Sequence, residues 1–302
     1  VALTTSEPAR DETDAALDRL HADLRRALSR ESAETLDRLI ALQPRRRGAR
    51  GFEDLGSAVV AALTRAAAIE PVGERRDVAR ALIAALAVDV VTRATAAGVT
   101  ETIVERTRRW RERLLVFLRD EAPDDYAFPS DYFVKDYRFV TALTLPCGAQ
   151  VVDLDDGIGP KTALLLSIQT PLGAFQAWRA RWFRVHTEGR YLDEFDESGW
   201  ERCYRDLAEL FALHPKIAGM AATSWFYDPQ LSTISPRLAY LRETPMGGGA
   251  RLVRHGTSAF DIESATATSA TRRSLYEAGR YQPVCCSILW ARRDLIAWAE
   301  NH

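Results

Sequence analysis

Leu17, Leu20, Leu24 and Leu28 recur at steps of three and four residues, the spacing that lines apolar side chains along one face of an α-helix. That stripe predicts a helix over residues 14–29. Ser32, Thr35, Leu36, Leu39 and Ile40 begin a second helix. Pro44 ends it, because proline lacks the N–H that an inner helical turn requires. A third is predicted over 52–69, stopping before Pro71. The fourth, alanine-rich, covers 74–97 and closes at Gly98, which takes positive φ without strain. Thr100 opens a fifth, carried by Ile103, Val104, Trp110, Leu114 and Phe117. Short connections between five amphipathic stretches predict an antiparallel helical bundle over residues 1–122.

The pattern changes after Asp120. An acidic, proline-containing stretch (120–125) precedes Tyr126, Phe128, Tyr132, Phe133, Tyr137 and Phe139, which reads as a linker and an aromatic domain interface. Beyond it the period turns toward two, the signature of strands. Strands are predicted over 139–145 and 149–154, joined at Pro146-Cys147-Gly148, and over 162–168. Residues 173–182 read as helical and 183–186 as extended. Trp200, Tyr204, Leu207 and Leu210 share a face of a helix over 199–213. Strands at 216–225, 251–254 and 284–290, with a helix at 271–278, complete the set. The expected fold class is α+β: an N-terminal all-helical bundle followed by a mixed-sheet α/β domain over 123–302.

Composition narrows the function classes. The 302 residues are 47% hydrophobic, and 40 basic against 42 acidic residues give a net charge of −2. That is globular composition with no charge excess to draw nucleic acid, so no nucleic-acid partner is expected. The longest apolar candidate, 81–91, is cut by Asp89, so no membrane span is expected. Residues 1–13 are polar and acidic and do not read as a secretory leader. Four scattered cysteines make no disulfide framework. A cytoplasmic location and a small-molecule substrate follow as expectations, with the helical region as the site of any self-association. Lysines number only three (Lys135, Lys161, Lys216). The arginine bias and the basic run Arg45-Arg46-Arg47 with Arg50 read as a GC-rich coding bias and a solvated loop.

Three places carry candidate chemistry. His186 and Glu188 stand at i and i+2 on an extended segment and so share a side, and His255 follows 69 residues later. Two imidazoles and a carboxylate are the facial set of non-haem iron oxygenases, with 2-oxoglutarate as the implied co-substrate. Metal-free acid or base work, or an imidazole simply held by a carboxylate, are the other readings of the same residues. A hairpin within 237–256 would suit the oxygenase. Ser224, Trp225, Phe226, Tyr227 and Asp228 crowd a predicted strand end, where ligands bind in α/β sheets. Ser224, Tyr227 and Asp228, with Arg273, are the expected substrate-binding residues. Gly247-Gly248-Gly249 lacks the Lys-Ser/Thr ending of a phosphate loop and reads as a turn. Cys285 and Cys286 point to opposite faces of one strand and read as small apolar fillers.

The segment Leu275-Tyr276-Glu277-Ala278-Gly279, followed by Tyr281 and a strand, resembles the last core helix and strand of the GNAT acyltransferase family over about seventy residues. The family's pyrophosphate-loop motif is not matched after Trp225. The resemblance implies transfer of an acyl group from acyl-CoA to an amine. It places the acid that protonates the leaving thiolate at Tyr276, and the strand at 217–225 beside the pantetheine arm. The third reading is a non-catalytic binding protein whose helical half contacts a partner.

Overall fold

The computed structural model describes residues 11–42, 55–169 and 179–302. The chain divides into two compact units. Of the described residues, the first unit holds 11–42, 55–97 and 104–144, and the second holds 98–103 and 145–302.

Every described element before residue 144 is helical: α1 (Glu12–Ala27), α2 (Arg30–Ala41), α3 (Ser57–Ala67), α4 (Val72–Ala87), α5 (Val90–Ala96), α6 (Glu101–Val116) with a π-turn after it, and α7 (Asp131–Val140). α1 opens on a capping box: Asp11 accepts from the Asp14 N–H at 2.9 Å and Asp14 from the Asp11 N–H at 3.1 Å, satisfying two orphan donors of the first turn. The same Asp14 takes a 2.6 Å bond from Arg111 of α6, whose side chain is 3% exposed and which also pairs with Asp11. α4 packs on α1, α2 and α7. The single helix expected over 74–97 is broken at Val88 and Asp89. Arg93 donates to the Leu86 carbonyl at 2.5 Å and to that of Val140 at 2.8 Å, replacing partners that a helix end lacks.

Two expected strands differ: the one over 139–145 starts only at Thr144, and the one over 162–168 is a helix. Residues 139–145 begin inside α7, whose buried Phe133, Val134, Tyr137 and Val140 repeat at helical spacing. The aromatic cluster that reads as a domain interface in sequence packs within the first unit. Tyr126 meets Phe117 and Phe133 edge-on, and its hydroxyl donates to buried Asp136 at 2.8 Å. The second is residues 162–168, which lie in α8 (Pro160–Gln169). A short apolar run does not distinguish strand from helix by period, and proline at the first helical position favours the helix. The helix expected at 173–182 falls mainly outside the described residues, as do the start of the 52–69 helix and the arginine run at 45–50. Arg181 and Trp182 are extended.

The second unit is built on one mixed sheet of six strands in the order β1-β2-β3-β4-β6-β5: β1 (Thr144–Cys147), β2 (Gln150–Asp156), β3 (Arg181–His186), β4 (Ile217–Ser224), β5 (Arg251–Gly256) and β6 (Cys285–Ala291). β3 and β4 run parallel, with Arg184 opposite Ala221 and Val185 opposite Ala222. The pairs β2–β3, β4–β6 and β5–β6 are antiparallel. The crossover from β3 to β4 is α9 (Glu197–Leu213). Alternation sends Met220, Ala222, Ile288 and Trp290 to one face. There Phe183 stacks on Phe211 of α9 at 5.1 Å, and Trp290 meets Trp298 of α13 (Arg292–Asn301) at 5.5 Å. The opposite face carries Trp182, Ala221, Val253 and Leu289 against Ala163 and Leu166 of α8. The region expected as a hairpin within 237–256 has a helix as its first arm, α10 (Tyr240–Gly247), leading into β5. Among the described residues no helix is long and apolar enough to cross a membrane.

Of the three glycines at the junction of α10 and β5, Gly248 serves the core. A Cβ on Gly248 would lie 2.1 Å from Cζ2 of the buried Trp290, whose indole N–H donates to the Gly248 carbonyl at 2.8 Å. The turn is closed because a tryptophan ring occupies the space any other side chain would need.

Candidate functional site

β3 and β4 are neighbours that end together, at His186 and Ser224. From these carboxyl ends the chain leaves in different directions, through 187–196 into α9 and through the 3-10 turn Trp225–Tyr227. Parallel strands that part in this way leave a crevice at their ends. Here it is a cavity of about 660 Å³. Leu192, Phe195, Trp225, Phe226 and Leu238 form its apolar wall, and Phe226 lies 5.4 Å from the Phe195 ring and 4.5 Å from that of Trp225.

Local sequence fixes each wall. Ser224 Oγ accepts from the Phe226 N–H at 3.1 Å and so caps the turn that presents Trp225 and Phe226. Asp196 caps α9, accepting from the Gly199 N–H at 2.7 Å and from the Ser198 hydroxyl at 2.8 Å. The Gly199 hydrogen bond is the main cause holding its carboxyl below the usual range. Gly199 is required there, since a Cβ would fall 1.9 Å from the Glu194 carbonyl oxygen.

The polar side of the cavity carries two arginines, Arg237 and Arg272, and two carboxylates, Asp196 and Glu197. Arg272, on α12 (Ala270–Glu277), is 3% exposed and lies with its guanidinium 4.9 Å above the Trp225 ring. It donates to the Ala265 carbonyl at 2.5 Å and to Ser235 Oγ at 3.2 Å. Arg237 lines the same space, as does Tyr240 at the start of α10. Burial, followed by the charges of Asp196 and Glu197, pushes the Tyr240 hydroxyl up to about 12. A protonated phenol is therefore held at the cavity wall throughout the neutral range.

The strand-end cluster expected from sequence is thus beside the site, with its roles redistributed. Trp225 and Phe226 face the cavity, whereas Ser224, Tyr227 and Asp228 are not among its lining residues. Tyr227 is buried, and Asp228, 1% exposed, accepts from the N–H groups of Gln230 and Val284, each at 3.0 Å. It ties the turn after β4 to the approach of β6. Arg273 donates to the carbonyls of Thr266 and Ala267 at 3.3 and 2.8 Å, capping α11 (Ala259–Thr266), and its neighbour Arg272 is the residue turned to the cavity. Tyr276 lies further along α12, 37% exposed and outside the cavity lining.

The facial metal set does not assemble. β3 and β5 are separated by β4 and β6, which puts His186 and His255 about 14 Å apart at ordinary strand spacing. His186 Nε2 lies 3.0 Å from the buried Asp153 carboxylate, and Glu188 accepts from the backbone and side chain of Arg190 at 3.0 and 3.1 Å. His255 is instead bonded to Ser287 at 2.7 Å. Among the described residues no group of three or more His, Cys, Asp or Glu side chains is placed to hold a metal ion. Cys147, Cys203 and Cys286 are buried, the Cys147 thiol donating to the Cys203 carbonyl at 3.6 Å, and burial raises the Cys285 thiol to about 12.

Comparison with protein families, with curated proteins and with solved structures finds no match to this chain.

Proposed function

We propose that the cavity at the ends of β3 and β4 binds the acyl group of an anionic thioester, such as acyl-CoA, and presents it to an amine. The observation that carries this reading is an aromatic and aliphatic wall facing two arginines, one of them buried, at the carboxyl ends of a parallel strand pair, with Asp196 and Glu197 on the same lining as the groups that would draw the amine. An acyl chain satisfies the first and a phosphorylated carrier the second. In this reading Tyr240, not Tyr276, supplies the acid. The amine nitrogen attacks the thioester carbonyl, the C–S bond breaks with its electron pair on sulfur, and the Tyr240 hydroxyl protonates the thiolate. The nitrogen loses its extra proton to water, and the phenol is reprotonated from solvent.

The test is a panel of acyl-CoA thioesters read by thermal shift and by release of free thiol with an amine acceptor. Tyr240→Phe is expected to lower turnover about a hundredfold, the usual worth of a positioned acid, while Tyr276→Phe leaves it unchanged. Stabilisation by a thioester without thiol release from any amine supports the binding-protein reading of the same cavity. Absence of both responses removes the proposal.

A further inference from the structure

The α8 face of the sheet holds a second constellation, whose residues are not among those lining the cavity. Ser287 of β6 is 1% exposed. Its Oγ lies 2.7 Å from His255 Nε2 on β5 and 2.6 Å from Thr223 Oγ1 on β4, with Thr162 Oγ1 of α8 at 3.5 Å from both Ser287 and His255. Register explains the convergence, since Ser287 stands opposite both Thr223 and Val253. The bulge after Arg254 then brings His255 alongside. Thr223 is solvent-exposed, so the cluster has an open end at the β4 side.

A hydroxyl within 2.7 Å of an imidazole nitrogen is the nucleophile–base pair of covalent acyl chemistry. The imidazole is suited to accept. Burial and, after it, the nearby Lys161 charge hold His255 below its ordinary range, so it is neutral at pH 7. Acceptance at Nε2 places the ring proton on Nδ1. We propose that Ser287 is a nucleophile activated by His255, and that this face of the sheet hydrolyses small acyl esters or thioesters through an acyl-serine intermediate. Ser287 Oγ attacks the acyl carbonyl as His255 Nε2 takes its proton, and the bond to the leaving alcohol or thiol breaks. His255 returns the proton to that group. Water then attacks the acyl-serine, giving its proton to His255, and Ser287 is restored as the carboxylic acid departs. Thr223, in contact with Ser287 and open to solvent, marks the side from which the ester enters. The inference is independent of the cavity reading and needs no acyl-CoA.

The experiment treats the full chain with a biotinylated fluorophosphonate, in which serine displaces fluoride from phosphorus, and locates the adduct by peptide mass spectrometry. Hydrolysis of 4-nitrophenyl acetate is followed in parallel. The expected result is a single adduct on Ser287, lost in Ser287→Ala and formed about a hundredfold more slowly in His255→Gln, the range expected for loss of a positioned base. Thermal melts of both variants confirm that they are folded, and Ser287→Ala removes one atom only. A folded wild-type chain that takes no label at Ser287, or labels elsewhere, overturns the proposal. So does an adduct that forms at the same rate in folded His255→Gln, which would leave the 2.7 Å bond a structural one.

Discussion

Replacing Asp228 by asparagine separates two roles for a residue that sequence alone places in a binding site. The carboxylate is 1% exposed and accepts two backbone N–H bonds of 3.0 Å, from Gln230 and Val284. Asparagine keeps one oxygen acceptor and turns an NH₂ group toward the other donor. The loss is one bond to a charged group, about 1.5–3 kcal/mol, and it sets an amide NH₂ against a backbone N–H. A cost of about 3 kcal/mol is expected, equal to roughly 6 to 12 °C in melting temperature for a unit of this size. Six of the seven tryptophans lie in the second unit, so urea unfolding followed by tryptophan fluorescence reports mainly on it. A midpoint shift with an unchanged denaturant slope is the expected signature. A loss below about 1 kcal/mol, within the scatter of ordinary single substitutions, refutes the account. If it came with weakened ligand binding, it would return Asp228 to the substrate-binding role.

Gly248→Ala is expected to destabilise the second unit by about 3 kcal/mol, since its Cβ would overlap the Trp290 ring at 2.1 Å in a core that tolerates little overpacking; a near-neutral urea midpoint would contradict this. Arg111→Ala removes the partner of the buried Asp14, with an expected loss of about 3–5 kcal/mol, measured as earlier loss of far-UV helical signal in urea. His255 binds its proton less readily when folded than when unfolded, so the unfolded chain takes up more protons as pH falls below about 6.5. The stability of wild type should therefore be full above that pH and decline below it toward the folded value. His255→Gln should flatten that part of the curve, and identical pH profiles for the two would disprove it.

The long amphipathic stretches were legible because their period exceeds any local accident. The leucine stripe of α1 and the Trp200–Leu210 face of α9 each repeat over about three turns. Short segments were not. Ala163 to Leu166 form a run that suits a strand or a helix equally, and Pro160 decides between them only once the helix start is known. Phe139 and Val140 read as strand beside Leu145 although they complete the buried face of α7. The site was half legible. Trp225 and Phe226 at a strand end pointed to the crevice now proposed as the site, but Arg272 and Tyr240 reach it from helices remote in sequence, and no local spacing announces that. Arg273 instead of Arg272 is an error of one residue, which on a helix is a rotation of about 100°. The metal set failed for a topological reason. His186 and His255 sit on strands whose separation is set by β6 entering between β4 and β5, an event encoded thirty residues beyond His255.

That insertion also orders events during synthesis. β5 pairs with β6 alone, and β6 fills the edge of β4. Sixty-seven residues separate Ser224 from Ala291, so at roughly 5–20 residues per second the edge of β4 waits about 3 to 13 s for its partner. Throughout that interval β5 has nowhere to dock, and the unpaired N–H and C=O groups of Met220 to Ala222 remain open to any passing strand. A nascent chain paused within this window presents an unpaired strand edge, the kind of template on which edge-to-edge aggregation starts.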